Sequence, residues 1–109
     1  MDTRIADAVV EIERRCRDPS CLRTVAEITG LTYGRFSRLF KRYVGLSPVK
    51  YVLLLRFRDA SSLLMTSTPP IKRVALVTGF RDLSHFARSF KDRFGLPPGV
   101  FRRRANTQP

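Results

Sequence analysis

The chain repeats itself. Val25-Ala26 followed by Gly30 returns as Val74-Ala75 followed by Gly79, at an offset of 49 residues. After a one-residue insertion, Phe36-Ser37-Arg38-Leu39-Phe40-Lys41 returns as Phe86-Ala87-Arg88-Ser89-Phe90-Lys91, at an offset of 50. Gly45-Leu46-Ser47-Pro48 then returns as Gly95-Leu96-Pro97-Pro98. The shared pattern is F-x-R-x-F-K-x-x-x-G-L-x-P. Nothing else in the sequence constrains the fold as much, because both copies must satisfy one local plan.

That plan is helical. Ile5, Val9, Ile12 and Cys16 recur at helical spacing behind Asp2 as N-cap, and Asp18-Pro19-Ser20 ends the helix. A second helix is predicted from about Leu22 to Thr29, closed by Gly30. A third runs from the N-cap Thr32 to about Val44, with Gly45 as left-handed cap. Ser47-Pro48 opens a fourth helix to about Met65, apolar around much of its circumference, so it must be covered on more than one side. Thr66 to Pro70 breaks it. A fifth helix spans about Pro70 to Thr78, and a sixth runs from Leu83 to Phe94, capped by Asp82 and stopped by Gly95. A last short turn is expected from Pro98, with a frayed tail from Arg104 to Pro109. The fold class is all-α, with about seven helices and no strand. Each repeat is a helix, a tight turn and a second helix, which is the helix-turn-helix plan.

On a wheel of about 100° per residue, Phe36, Leu39, Phe40 and Tyr43 share one face of the third helix, and Gly34, Ser37, Arg38 and Lys41 share the other. The sixth helix turns Phe86 and Phe90 inward, and Ser84, Ala87, Arg88 and Lys91 outward. Small residues permit close approach to a major groove, and long cations reach base edges and phosphates. Arg38 and Arg88 are therefore candidates for base reading, since arginine pairs bidentately with guanine. Arg35, Lys41, Arg42 and Lys91 suit phosphates, which position a protein without specifying sequence. Thr32 and Arg81, just ahead of the two helices, join the phosphate set. His85, the single histidine, suits a phosphate or base contact, or a helix-end hydrogen bond.

The formal net charge of +12, from 21 Lys and Arg against 9 Asp and Glu, points the same way, to a polyanionic partner. The competing reading is a non-specific basic module for nucleic acid or a membrane surface. It lacks the exposed aromatics beside its cations that base stacking requires. Other classes find little support. Two cysteines, Cys16 and Cys21, are too few for a disulfide framework or a four-ligand zinc site, so neither metal nor cofactor is expected, and reduced thiols suit a cytoplasmic protein. The longest apolar run, Tyr51 to Leu55, is far below the roughly 20 residues of a membrane helix. Asp59, Asp82 and Asp92 form no acid-base pair, and no enzyme is expected.

At this point the sequence resembles the AraC/XylS family of bacterial transcriptional regulators, over roughly Cys21 to Arg103. The resemblance rests on Val25-Ala26-Glu27, the run from Thr32 to Lys41, Gly45-Leu46-Ser47-Pro48, Tyr51, Arg56, Ala60, Leu63-Leu64, and the stretch from Ile71 through Gly79-Phe80 to Phe101-Arg102. It implies two helix-turn-helix lobes joined by a long helix. It also implies binding to double-stranded promoter DNA and activation through contact with RNA polymerase. The family's base-reading positions fall on Gly34, Ser37 and Arg38, and on Leu83, Ser84, His85 and Arg88. Gly34 departs from the larger side chain often found there, so the first lobe is expected to read fewer bases. Leu83 suits either a thymine methyl or a packing contact. The cysteines do not match the family's DNA-repair branch. Family members commonly carry a preceding sensor domain, which this chain lacks; it reads equally as a stand-alone regulator or a piece of a longer one.

The expected organisation is a first lobe over about 1–46, a linker helix over about 47–65, a second lobe over about 66–103 and a tail over 104–109. Such a linker spans about 27 Å at 1.5 Å per residue. Recognition helices on one DNA face sit about 34 Å apart. One copy of the chain is therefore expected to bind an asymmetric site of two major-groove segments, with DNA bending at a cost of order 1–6 kcal/mol if the linker is rigid.

Overall fold

The computed structural model describes residues 2–107. Among them all regular structure is helical: α1 (Thr3–Arg15), α2 (Cys21–Thr29), α3 (Tyr33–Val44), α4 (Pro48–Thr66), α5 (Ile71–Val77), α6 (Leu83–Phe94) and α7 (Pro98–Thr107). Four helices begin at the residues their capping chemistry predicts; α4 does so behind Ser47, whose Oγ accepts from the Lys50 N–H at 3.2 Å. The side chains of Asp2, Thr32 and Asp82 accept from the backbone N–H of Arg4, Arg35 and His85, each satisfying a donor that has no partner inside the helix. Gly45 and Gly95 end α3 and α6.

The turns between the paired helices use one device twice. Thr29 Oγ1 donates to the Ala26 carbonyl at 2.6 Å, and Thr78 Oγ1 donates to Val74 at 2.7 Å and Ala75 at 3.2 Å. Each threonine covers carbonyls at its helix end, and the next residue, Gly30 or Gly79, turns the chain at φ of 75° or 105°, a conformation that costs other residues free energy.

The chain forms two compact units, one ending at Arg56 and the other beginning at Phe57. In the first, α1 contributes Ile5, Ala8 and Ile12, fully or almost fully buried, to a core with Val25, Phe36 and Phe40. Val52 and Leu55 from the first half of α4 close that core. In the second unit Phe57 is the hub. Its ring lies 4.8 Å from Phe80, 6.0 Å from Phe86 and 6.3 Å from both Phe90 and Phe94.

The burial of α1 recurs in α4. Ile5, Ala8 and Ile12 are buried, and so are Phe57, Ala60 and Leu64 at the same spacing. The second half of α4 therefore does for its unit what α1 does for the first. This accounts for the apolar circumference of α4: its two halves serve different cores.

An arginine holds each of these leading helices at its C-terminal end. In the first unit, Arg56 donates through Nε to the Cys16 carbonyl at 2.6 Å and through Nη2 to that of Asp18 at 2.9 Å. In the second, Arg102 donates through Nε to the Leu64 carbonyl at 3.2 Å and through Nη1 to Pro69. A cation at a helix C-terminus also complements its dipole. The two cysteines are buried thiols that form no disulfide; burial pushes the Cys21 thiol up to about 11.

The C-terminal segment differs from the expected short turn and frayed tail. α7 is a ten-residue helix reaching Thr107. Phe101 packs 5.2 Å from Phe90 and 5.6 Å from Phe94, and Arg102 ties the helix to the end of α4. These contacts offset the entropy of ordering the segment. The remainder of the expected tail, Gln108 and Pro109, lies outside the described residues.

Candidate nucleic-acid interface

The two recognition helices match in exposure as well as in sequence. From Thr32 to Gly45 and from Asp82 to Gly95, corresponding positions show the same degree of burial throughout. Phe36 and Phe40, like Phe86 and Phe90, are completely buried and fix the rotation of each helix. That rotation leaves Gly34, Arg35, Arg38, Lys41 and Arg42 exposed on α3, and Leu83, Ser84, His85, Arg88 and Lys91 exposed on α6. Thr32 and Arg81 are exposed as well.

Three positions depart from the helical-wheel expectation. Ser37 and Ala87, expected on the exposed face, are half-buried at its flank. Tyr43, assigned to the inner face, is 40% exposed at the edge of its core; the matching position in α6 is Arg93. Leu83 is 42% exposed, which favours an outward role over packing. The helix-end hydrogen bond at His85 is made by its backbone N–H, to Asp82 at 3.0 Å, so the exposed imidazole is not needed for it.

The cations of these faces have no acidic partner, although Arg42 lies 5.9 Å from the centroid of the Tyr43 ring. Arg4 pairs with Asp2, and Arg14 and Arg15 pair with Glu11. Among the described residues, by contrast, the side chains of Arg35, Arg38, Lys41, Arg42, Arg88 and Lys91 form no salt bridge and no side-chain hydrogen bond. Arg35, Arg38 and Arg42 line one groove together with Leu39. Gly34 shapes this surface by lacking a side chain: a Cβ there would meet Arg38 Nη1 at 3.6 Å, so the arginine lies back across the glycine at ordinary contact distance.

The helix starts differ in charge. Thr32 is a neutral cap. Asp82 is an acidic one, and the His85 backbone N–H holds its carboxyl below its ordinary value, with smaller help from the Ser84 N–H and from the charges of His85 and Arg88. The clamping arginines Arg56 and Arg102 were not foreseen as structural. Their conversion from surface charge to helix clamp depends on contacts 33 to 40 residues away in sequence, which no local pattern displays. The paired Thr-Gly dipeptides were visible, and could have been found by extending the repeat one residue.

Among the described residues no helix is long and apolar enough to cross a membrane, and no group of three or more His, Cys, Asp or Glu could hold a metal ion.

A family model described as a helix-turn-helix domain matches residues 25–104. Over 103 residues the chain is 34% identical to the arabinose operon regulatory protein of Salmonella typhimurium, covering 94% of this chain and 37% of that protein. Among solved structures it is similar to the C-terminal domain of AraT, a response regulator from Geobacillus stearothermophilus, at 26% identity and a TM-score of 0.84, covering 92% of this chain and 84% of that one. It is also similar to a transcriptional regulator of Chromobacterium violaceum described as containing an AraC-type DNA-binding domain. There the identity is 28% and the TM-score 0.77, with 98% and 95% of the two chains covered. The chain spans between 26% and 37% of the length of curated relatives it matches.

Proposed function

The chain belongs to the AraC/XylS-type helix-turn-helix family, and from that premise we propose that it binds double-stranded promoter DNA sequence-specifically, with α3 and α6 entering adjacent major-groove segments. One observation carries this reading: two helices of matching sequence and burial each present exposed, unpaired cations beside small residues. A basic surface evolved only for solubility has no need to repeat itself position by position, whereas two successive groove segments present the same shape twice.

In this reading Arg38 and Arg88 contact base edges, with Gly34, Ser37, Leu83, Ser84 and His85 around them, Leu83 toward a thymine methyl. Arg35, Lys41, Arg42, Arg81 and Lys91, with the Thr32 hydroxyl, hold phosphates. One copy occupies an asymmetric two-segment site in the bacterial cytoplasm and activates transcription through contact with RNA polymerase.

The test is selection of bound duplexes from a random pool, followed by footprinting at moderate salt. Two protected major-groove segments about one helical turn apart are expected. Sequence-blind protection that disappears with added salt would instead identify a non-specific polyanion binder.

A further inference from the structure

Although α3 and α6 share one scaffold, they carry different charge. Thr32 to Val44 holds four cations and no acid, whereas Asp82 to Phe94 holds three cations and two acids, Asp82 and Asp92. The Arg93 guanidinium sits 5.0 Å from the centroid of Phe57 and that of Arg42 5.9 Å from the centroid of Tyr43, and both residues remain exposed. The exposed cations of α6 are Arg88, Lys91 and Arg93, set against two carboxylates, whereas those of α3 face none. On α3, three arginines converge on the groove beside Leu39. At the place of Arg42, the second helix has Asp92. Both residues are exposed, so the exchange changes charge without changing the core.

We propose that the two recognition helices divide the work of binding unequally: α3 supplies the larger share of the salt-dependent grip on phosphates, through Arg35 and Arg42 beside Lys41, and α6, with Lys91 alone among its phosphate contacts, contributes chiefly to base discrimination. The proposal rests on the DNA-binding reading above. Its physical basis is counterion release, in which each neutralised phosphate steepens the dependence of affinity on salt by about 0.9 in a log–log plot. A helix whose outward cations are largely offset by acids displaces fewer counterions. It therefore contributes chiefly where its side chains meet the correct bases. The acids on α6 work against binding to duplexes in general, which a sequence reader tolerates and a phosphate clamp does not.

The experiment measures affinity across a salt series for the whole chain, on a duplex recovered from a random pool and on a scrambled duplex of equal length. R35Q/R42Q is expected to flatten the slope by about two and to weaken both duplexes by the same factor. D92R, which places the counterpart of Arg42 on α6, is expected to steepen the slope by about one on both duplexes. This gain cannot arise from misfolding. If D92R leaves the slope unchanged and R35Q/R42Q weakens only the selected duplex, the division of work is overturned. If the unaltered chain binds neither duplex at low salt, the DNA-binding reading itself falls.

Discussion

Arg88 is exposed and forms no salt bridge, so replacing it leaves the fold intact. Arg88→Ala is expected to weaken binding to the selected duplex by about 1–3 kcal/mol and to relax preference at one base position. Competition titrations check this; equal loss on random duplex would reassign the arginine to the backbone. Asp82 offers a test of a different kind. Its carboxyl is held below the ordinary carboxylate range by the His85 N–H. The cap is therefore fully present at neutral pH and is lost as pH falls through the lowered folded value. Asp82→Asn, which caps as a neutral acceptor, is expected to match the parent near neutrality. Its stability should then fall less on acidification, as urea unfolding across pH would show. At this scale the sequence was legible where periodicity alone decides exposure, as at Phe36, Arg38 and Arg88. It was less so at the edges of faces, where Ser37 and Tyr43 depend on how far neighbouring helices extend over them.

Elements are held by contacts that sequence displays unevenly. The starts of α1, α3, α4 and α6 were readable because a cap is a local event: Asp2, Thr32, Ser47 and Asp82 each reach a donor two or three residues ahead. The helical end of α7 was not. Its arginine run suggests a solvated tail, and only the packing of Phe101 and the clamp of Arg102 make it a helix. α4 was half legible. Its apolar circumference required cover on several sides, but the sequence did not show its second half acting as the counterpart of α1. That role makes Phe57 the most sensitive position in the helix. Phe57→Ala empties the hub of five aromatic rings and is expected to cost about 3–5 kcal/mol of stability, measurable as a shift in the urea midpoint. The same change at exposed Leu54, outside both cores, should stay within about 0.5 kcal/mol.

For the molecule as a whole, the duplication announced a two-part helical architecture, and the charge announced a polyanion. What the charge count could not convey is which cations are available. Arg56 and Arg102 are bound to carbonyls, so part of the +12 is spent within the fold, while Arg4, Arg14 and Arg15 sit beside acids already subtracted in that net charge. The border between the two units falls between Arg56 and Phe57, inside continuous helix. Proteases need several residues of backbone that can be drawn out into an extended form, and regular helix with a buried flank resists this. Trypsin, though offered 21 basic residues, should therefore nick first after Arg17 or Arg81, in the bends outside the helices, and spare Arg56 and Arg58. Mass spectrometry of a brief digest should find no fragment corresponding to one intact half, because the place where the halves meet is among the least cuttable in the chain.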